Sequence, residues 1–295
     1  MVSRIGLSNF GKKAFWKSAF RITSGALRHF SLGFYNQKGV KFKHKVAIAA
    51  IYNNFTKLAR VKPNKEAYRL GQAFNGYVLS IDPVLDNPNY GPRRQGKITL
   101  SELKSISISK QKASEFVVFL KKTTLSLDQK KAIIHAFSVF RKRAVVGVAK
   151  TFSNPFADYS EVLEGVKATA GDMFGTWVEI LGFAHGVPKE KMANFRESFS
   201  AMSTGLQFVD DAFDCLNDFG NQQNLVVSLA RRHKHEFEFL KNATATPQHV
   251  SFSWIKKNLP QTFVEFTSEF DAIVEQIPPE QDTLKRFTMD AFYGW

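Results

Sequence analysis

Apolar residues recur along this chain with a period close to 3.6, in runs that continue for twenty residues or more between short breaks. That spacing lays a continuous apolar stripe along one face of a helix, and it excludes a sheet, whose sides alternate every second residue. The runs cover 44–60, 66–85, 101–120, 127–152, 158–184, 190–218, 223–241, 249–259, 260–277 and 279–292. Ser126, Asp158 and Ser251 stand where helix N-caps belong, and breaks fall at VKPN, NPNYGP, VPKEK and DFGNQQ. The β-branched residues sit inside helical periods. The expectation is an all-α fold, a single bundle of roughly ten helices around a deep central cavity.

Charge divides the chain in two. Residues 1–65 carry 14 Lys and Arg and no acid, while the other residues hold 27 basic and 26 acidic side chains. We therefore expect a basic amphipathic segment over 1–45 and an all-α domain over 46–295. Within FGKKAFWKSAFRI, Lys13, Lys17 and Arg21 recur every four residues, with Phe15, Ala19 and Ile22 opposite and Phe20 out of pattern. Such a helix suits an anionic membrane surface, an organelle transit peptide or a solvated face. The neutral body argues against nucleic acid as a partner. Cys215 is the only cysteine, which excludes an internal disulfide and a cysteine-based zinc site. No apolar run is long enough to span a membrane. A cytoplasmic protein, peripheral at a membrane or addressed to an organelle, follows from these features.

Two acidic clusters carry the chemistry. In QFVDDAFDCLND, Asp210, Asp214 and Asp218 are spaced i, i+4, i+8, with Asp211 about 100° from Asp210 on the helical wheel. Phe208, Ala212 and Cys215 occupy another side, so the acids adjoin buried surface. Unpaired carboxylates there are costly, and a hard divalent cation would offset them. Upstream, GYVLSIDPVLDN places Asp82 and Asp86 four apart. Pro83 disfavours helix at Asp82, so that stretch reads either as a loop or as a terminal turn. Arg93, Arg94 and Lys97 follow within GPRRQGKIT, as self-neutralising surface or as donors to a polyanion. His135 and His185 stand alone on apolar helices as satisfied core groups. His233 and His235 lie among cations, a poor divalent site.

These motifs resemble the class I isoprenoid synthases of the trans-prenyl diphosphate type. GLQFVDDAFD is similar to their second aspartate-rich motif, including Gln207 three residues ahead of the Asp pair. DPVLDN resembles their first motif with Pro83 in place of its second Asp. RRQGKIT is similar to the run that follows it, and KATAGDMF to the Lys-Thr segment between the two motifs. The resemblance covers about residues 45–245. It implies the isoprenoid synthase fold and a cluster of up to three Mg²⁺ ions held by Asp82, Asp86, Asp210, Asp211 and Asp214, with Asp218 a further candidate. Arg93, Arg94, Lys97 and Lys167 are implied to bind the diphosphate of a prenyl substrate. Many relatives pair as homodimers.

The Gly-Gly-Lys motif of chain-elongating members has no counterpart here, and Asp82/Asp86 match squalene/phytoene synthases and large terpene synthases equally well. The function expected is accordingly a Mg²⁺-dependent terpene synthase that ionises a long allylic prenyl diphosphate. The alternatives are a prenyltransferase, chain-elongating or head-to-head, and a non-catalytic lipid-binding or assembly protein. The small residues Ala168, Ala170, Gly171 and Gly175 suit either close substrate approach or tight helix packing.

Overall fold

A computed structural model describes residues 42–85, 100–245 and 250–293. Among them there is no strand. The helices are α1 (Phe42–Leu58), α2 (Lys65–Leu85), α3 (Leu100–Lys121), α4 (Leu127–Ser153), α5 (Tyr159–Val166), α6 (Asp172–His185), α7 (Lys189–Asp218), α8 (Leu225–Ala230), α9 (Lys234–Ala243), α10 (Phe252–Asn258), α11 (Pro260–Val274) and α12 (Asp282–Tyr293). No helix of the described residues is long and apolar enough to cross a membrane.

Local chemistry sets several starts. Ser126 accepts from Gln129 N while the Gln129 side chain bonds back to Ser126 N, a capping box that opens α4. Asp158 and Ser251 cap α5 and α10 through their side-chain oxygens, as the sequence indicates.

Two runs differ from their sequence reading. The 158–184 run is not a uniform α-helix, because Lys167–Gly171 forms a π-helical segment between α5 and α6. There the Thr169 hydroxyl donates to the Gly165 and Val166 carbonyls, competing with the regular ladder. The 223–241 run breaks at Arg231–His233, where a turn separates α8 from α9. Glu265 holds that turn by accepting from Arg232 and pairing with His233 Nε2, both at 2.8 Å. A tertiary partner, not a local breaker, ends the helix.

The long helix α7 is the axis of the bundle. It packs against α6, the π segment, α8, α11 and α12, and α6 in turn packs on α2 and α4. The α6–α7 contact is close and antiparallel. A side chain at Gly171, Gly175 or Gly182 would meet Ser200, Arg196 or Met192 respectively, so glycine is needed where the backbones approach. Gly171 and Gly175 therefore serve helix packing. The phenylalanines likewise form core: Phe208, Phe266, Phe270 and Phe292 make one contiguous group, and Phe74, Phe116, Phe137 and Phe140 another.

Candidate metal and diphosphate site

The acidic row occupies the last turns of α7. Its inner side is sealed by Phe208, Ala212 and Cys215, all fully buried. Burial raises the Cys215 thiol, with Asp218 adding to the shift, so it stays a neutral, inert packing group.

The four carboxylates fall into two pairs. Asp211 and Asp218 are i, i+7, about 20° apart on the wheel, and both are buried. Asp211 Oδ1 accepts from Gln207 Nε2 at 2.7 Å and Oδ2 from Leu225 N at 2.7 Å. Asp218 Oδ1 accepts from Gln222 and Oδ2 from Asn224 Nδ2 at 3.0 Å. Asp210 and Asp214, i, i+4, are only partly buried. Asp210 Oδ2 receives a long contact from Gln207 at 3.3 Å, and Asp214 Oδ1 one from Asn217 at 3.1 Å. No hydrogen bond from the described residues reaches the other oxygen of either carboxylate.

Electrostatics follow from this crowding. Burial, then the charges of Asp211, Asp214 and Asp218, raise the Asp210 carboxyl well above the usual range. Burial pushes Asp211 up to about 8, against the opposing bonds from Gln207 and Leu225 N. A row so strained toward neutrality is relieved by a cation.

Among the described residues, no three His, Cys, Asp or Glu side chains converge into a ligand set of their own. A Mg²⁺ ion does not need one, since one or two carboxylates suffice when phosphate oxygens and waters complete its shell. Asp210 and Asp214, each with an oxygen left open, fit that role. Asp211 and Asp218 have both oxygens engaged within the protein.

Asp82 lies in the final turn of α2, which continues through Pro83 to Leu85, so the loop reading of this stretch is corrected. Position 82 is thus helical, and the helix ends two residues beyond Pro83. Asp86, Arg93, Arg94 and Lys97 lie outside the described residues, as does the Asp82 side chain. Lys167 opens the π segment and pairs with the exposed Glu164 at 3.2 Å. The π segment runs beside α7 just before Gln207, with Ser203 Oγ donating to Ala170 O at 2.8 Å. Such segments are frequent at functional sites.

Two histidine readings separate. His185 is a satisfied group, with Nε2 3.1 Å from Tyr52 Oη. His135 is exposed on α4 rather than buried in the core. A residue outside the expected site set is Asn224, which caps α8 with its side chain and bonds the acidic helix. An Asn immediately before the apolar run LVVSLA was the available signal.

The described residues form an all-α bundle whose central helix carries the acidic row, and solved prenyl diphosphate synthases share that fold. No family model and no curated protein matches the chain. Among solved structures it is similar to a polyprenyl synthase from Caulobacter crescentus CB15, complexed with calcium and isoprenyl diphosphate. That likeness has a TM-score of 0.59 at 13% identity, over 93% of this chain and 96% of that one. A geranylgeranyl pyrophosphate synthetase from Geoglobus acetivorans gives 0.61 at 14% identity, covering 93% and 91%. A decaprenyl diphosphate synthase from Rhodobacter capsulatus gives 0.58 at 12% identity, covering 92% and 98%. At such identities the likeness is one of fold.

Proposed function

We propose that the chain is a divalent-metal-dependent enzyme acting on allylic prenyl diphosphates, and that it works as a prenyltransferase. The observation that carries the reading is the partly buried Asp210/Asp214 pair on the central helix of this fold, each carboxylate with one oxygen that no described residue bonds. The transferase alternative is favoured over the terpene synthase first expected, because the similar structures are named as prenyl diphosphate synthases. One of them holds calcium and isoprenyl diphosphate.

In this reading Asp210 and Asp214, joined by Asp82 and Asp86, would hold Mg²⁺. Bound there, Mg²⁺ polarises the diphosphate oxygens as a Lewis acid. Arg93, Arg94, Lys97 and Lys167 supply charge-assisted donors to the same group as it departs. Asp211 and Gln207 brace the row from behind.

The test is product analysis of the full chain with Mg²⁺ and farnesyl, geranylgeranyl or longer diphosphates, with and without isopentenyl diphosphate. A longer diphosphate is expected only when isopentenyl diphosphate is present. Chelation should abolish it, and Asp210→Asn should lower it by about 100-fold or more. Hydrocarbon or alcohol from one substrate alone would return the chain to the terpene synthases. Binding without turnover would mark a lipid-binding or assembly role.

A further inference from the structure

The connection Phe219–Asn224 between α7 and α8 is built around one buried amide. Asn224 is fully buried and both ends of its side chain are engaged. Oδ1 accepts from Val226 N at 2.9 Å and Val227 N at 3.2 Å, which caps α8. Nδ2 donates to the Asp211 backbone carbonyl at 2.9 Å and to Asp218 Oδ2 at 3.0 Å. The next residue, Leu225, donates its backbone N–H to Asp211 Oδ2 at 2.7 Å. The start of α8 is thereby fastened to two positions on α7 that are two turns apart and share one face.

That fastening fixes how α7 is rotated about its axis. The pair Asp211/Asp218 lies about 70° round the helix from Asp210/Asp214. Turning α7 enough to exchange the pairs would break the bonds from Asn224, Leu225 and Gln222 together. Each broken bond would leave a buried polar group unsatisfied.

We propose that Asn224 is a positioning residue for a divalent cation. By tying the Asp211 carbonyl and the Asp218 carboxylate to the start of α8, it sets the rotation of α7. The open oxygens of Asp210 and Asp214 are thereby the ones presented to the ion. This rests on the reading of Asp210/Asp214 as metal ligands. Asp218 then acts as an anchor for the helix, not as a ligand.

The experiment is direct binding of Mn²⁺ alone to the full chain, followed by the electron paramagnetic resonance signal of the free ion. Thermal melts run in parallel. Asn224→Ser retains a good N-cap but removes the amide that reaches Asp211 and Asp218. Asp218→Asn leaves the cap untouched and turns an NH₂ toward either Gln222 or Asn224. A residue that only caps α8 would leave Mn²⁺ affinity unchanged in Asn224→Ser, whereas Asp218→Asn also removes a charge felt at Asp210. Positioning predicts a loss of about tenfold in each, the size typical of groups that support metal ligands. Should Asn224→Ser fail to fold, Asn224→Thr, which also caps without an amide, decides instead. Wild-type affinity in the folded Asn224 variant, with Asp210→Asn losing Mn²⁺, overturns the proposal. If the unaltered chain fails to bind Mn²⁺, or Asp210→Asn binds as it does, the metal reading of the row falls instead.

Discussion

Tyr52 Oη donates to the Asn64 carbonyl at 2.9 Å and accepts from Asn64 N at 2.8 Å, with His185 Nε2 3.1 Å away. Burial pulls the His185 pKa down to about 4, against an ordinary value near 6.5. As pH falls below about 6.5 the unfolded chain takes up this proton first. The contribution of His185 is thus complete above pH 6.5 and lost progressively toward pH 4. Asp211 acts in the opposite sense, because its raised pKa lets the folded state hold a proton between about pH 4 and 8. The two separate cleanly in a difference measurement. The melting temperature of the wild type minus that of His185→Gln should fall between pH 6.5 and 4 and be flat above.

Helix ends show how far elements depend on residues distant in the chain. Leu259, at the N-cap of α11, has no side-chain oxygen. Glu236 on α9 supplies the cap instead. Its Oε1 accepts from Gln261 N at 2.8 Å, and its Oε2 from Thr262 N at 2.8 Å and Thr262 Oγ1 at 2.6 Å. The carboxylate is also favourably placed at the positive end of the α11 dipole. Glu236→Ala leaves these buried donors without a partner and should cost about 2–4 kcal/mol. Glu236→Gln, which keeps one acceptor, should cost less. Urea unfolding checks both, as a lower midpoint with an unchanged slope. The acidic character of α7 was readable from the sequence, since its spacing needs only helix geometry. The sequence reading groups Asp218 with Asp210 and Asp214, whereas the structure pairs it with Asp211, its i, i+7 neighbour. Which pair faces inward follows from the apolar stripe of α7. Asp211 and Asp218 lie nearer to Phe208, Ala212 and Cys215 on the wheel than Asp210 and Asp214 do. Their partners on α8 came only with the fold.

At the scale of the molecule, the net charge of +15 is concentrated before Glu66. The rest of the chain is close to neutral and needs no polyanion to balance it. We propose that the N-terminal segment contacts an anionic membrane surface. Full-length protein should sediment with vesicles containing anionic lipid at low salt, and release as ionic strength rises through 0.15–0.5 M. Replacing Lys12, Lys13, Lys17 and Arg21 by Gln should remove most of that binding, at about 1 kcal/mol for each charge lost. Sedimentation that ignores both salt and these replacements would leave the segment as a solvated arm.

The sequence by itself determined the all-α class, most helix boundaries, the caps at Ser126, Asp158 and Ser251, and the position of the acidic row. Each of these is written in the spacing of neighbouring residues, so local geometry suffices to recover it. Only the tertiary structure decided what lay between distant residues. It turned Gly171 and Gly175 onto α7, and broke the 223–241 run at a turn held by Glu265. It also gave Asn224 the task of fastening the helix that carries QFVDDAFDCLND. Those outcomes come from groups brought together by packing, where burial makes each unmet hydrogen bond costly and leaves few arrangements that satisfy them all.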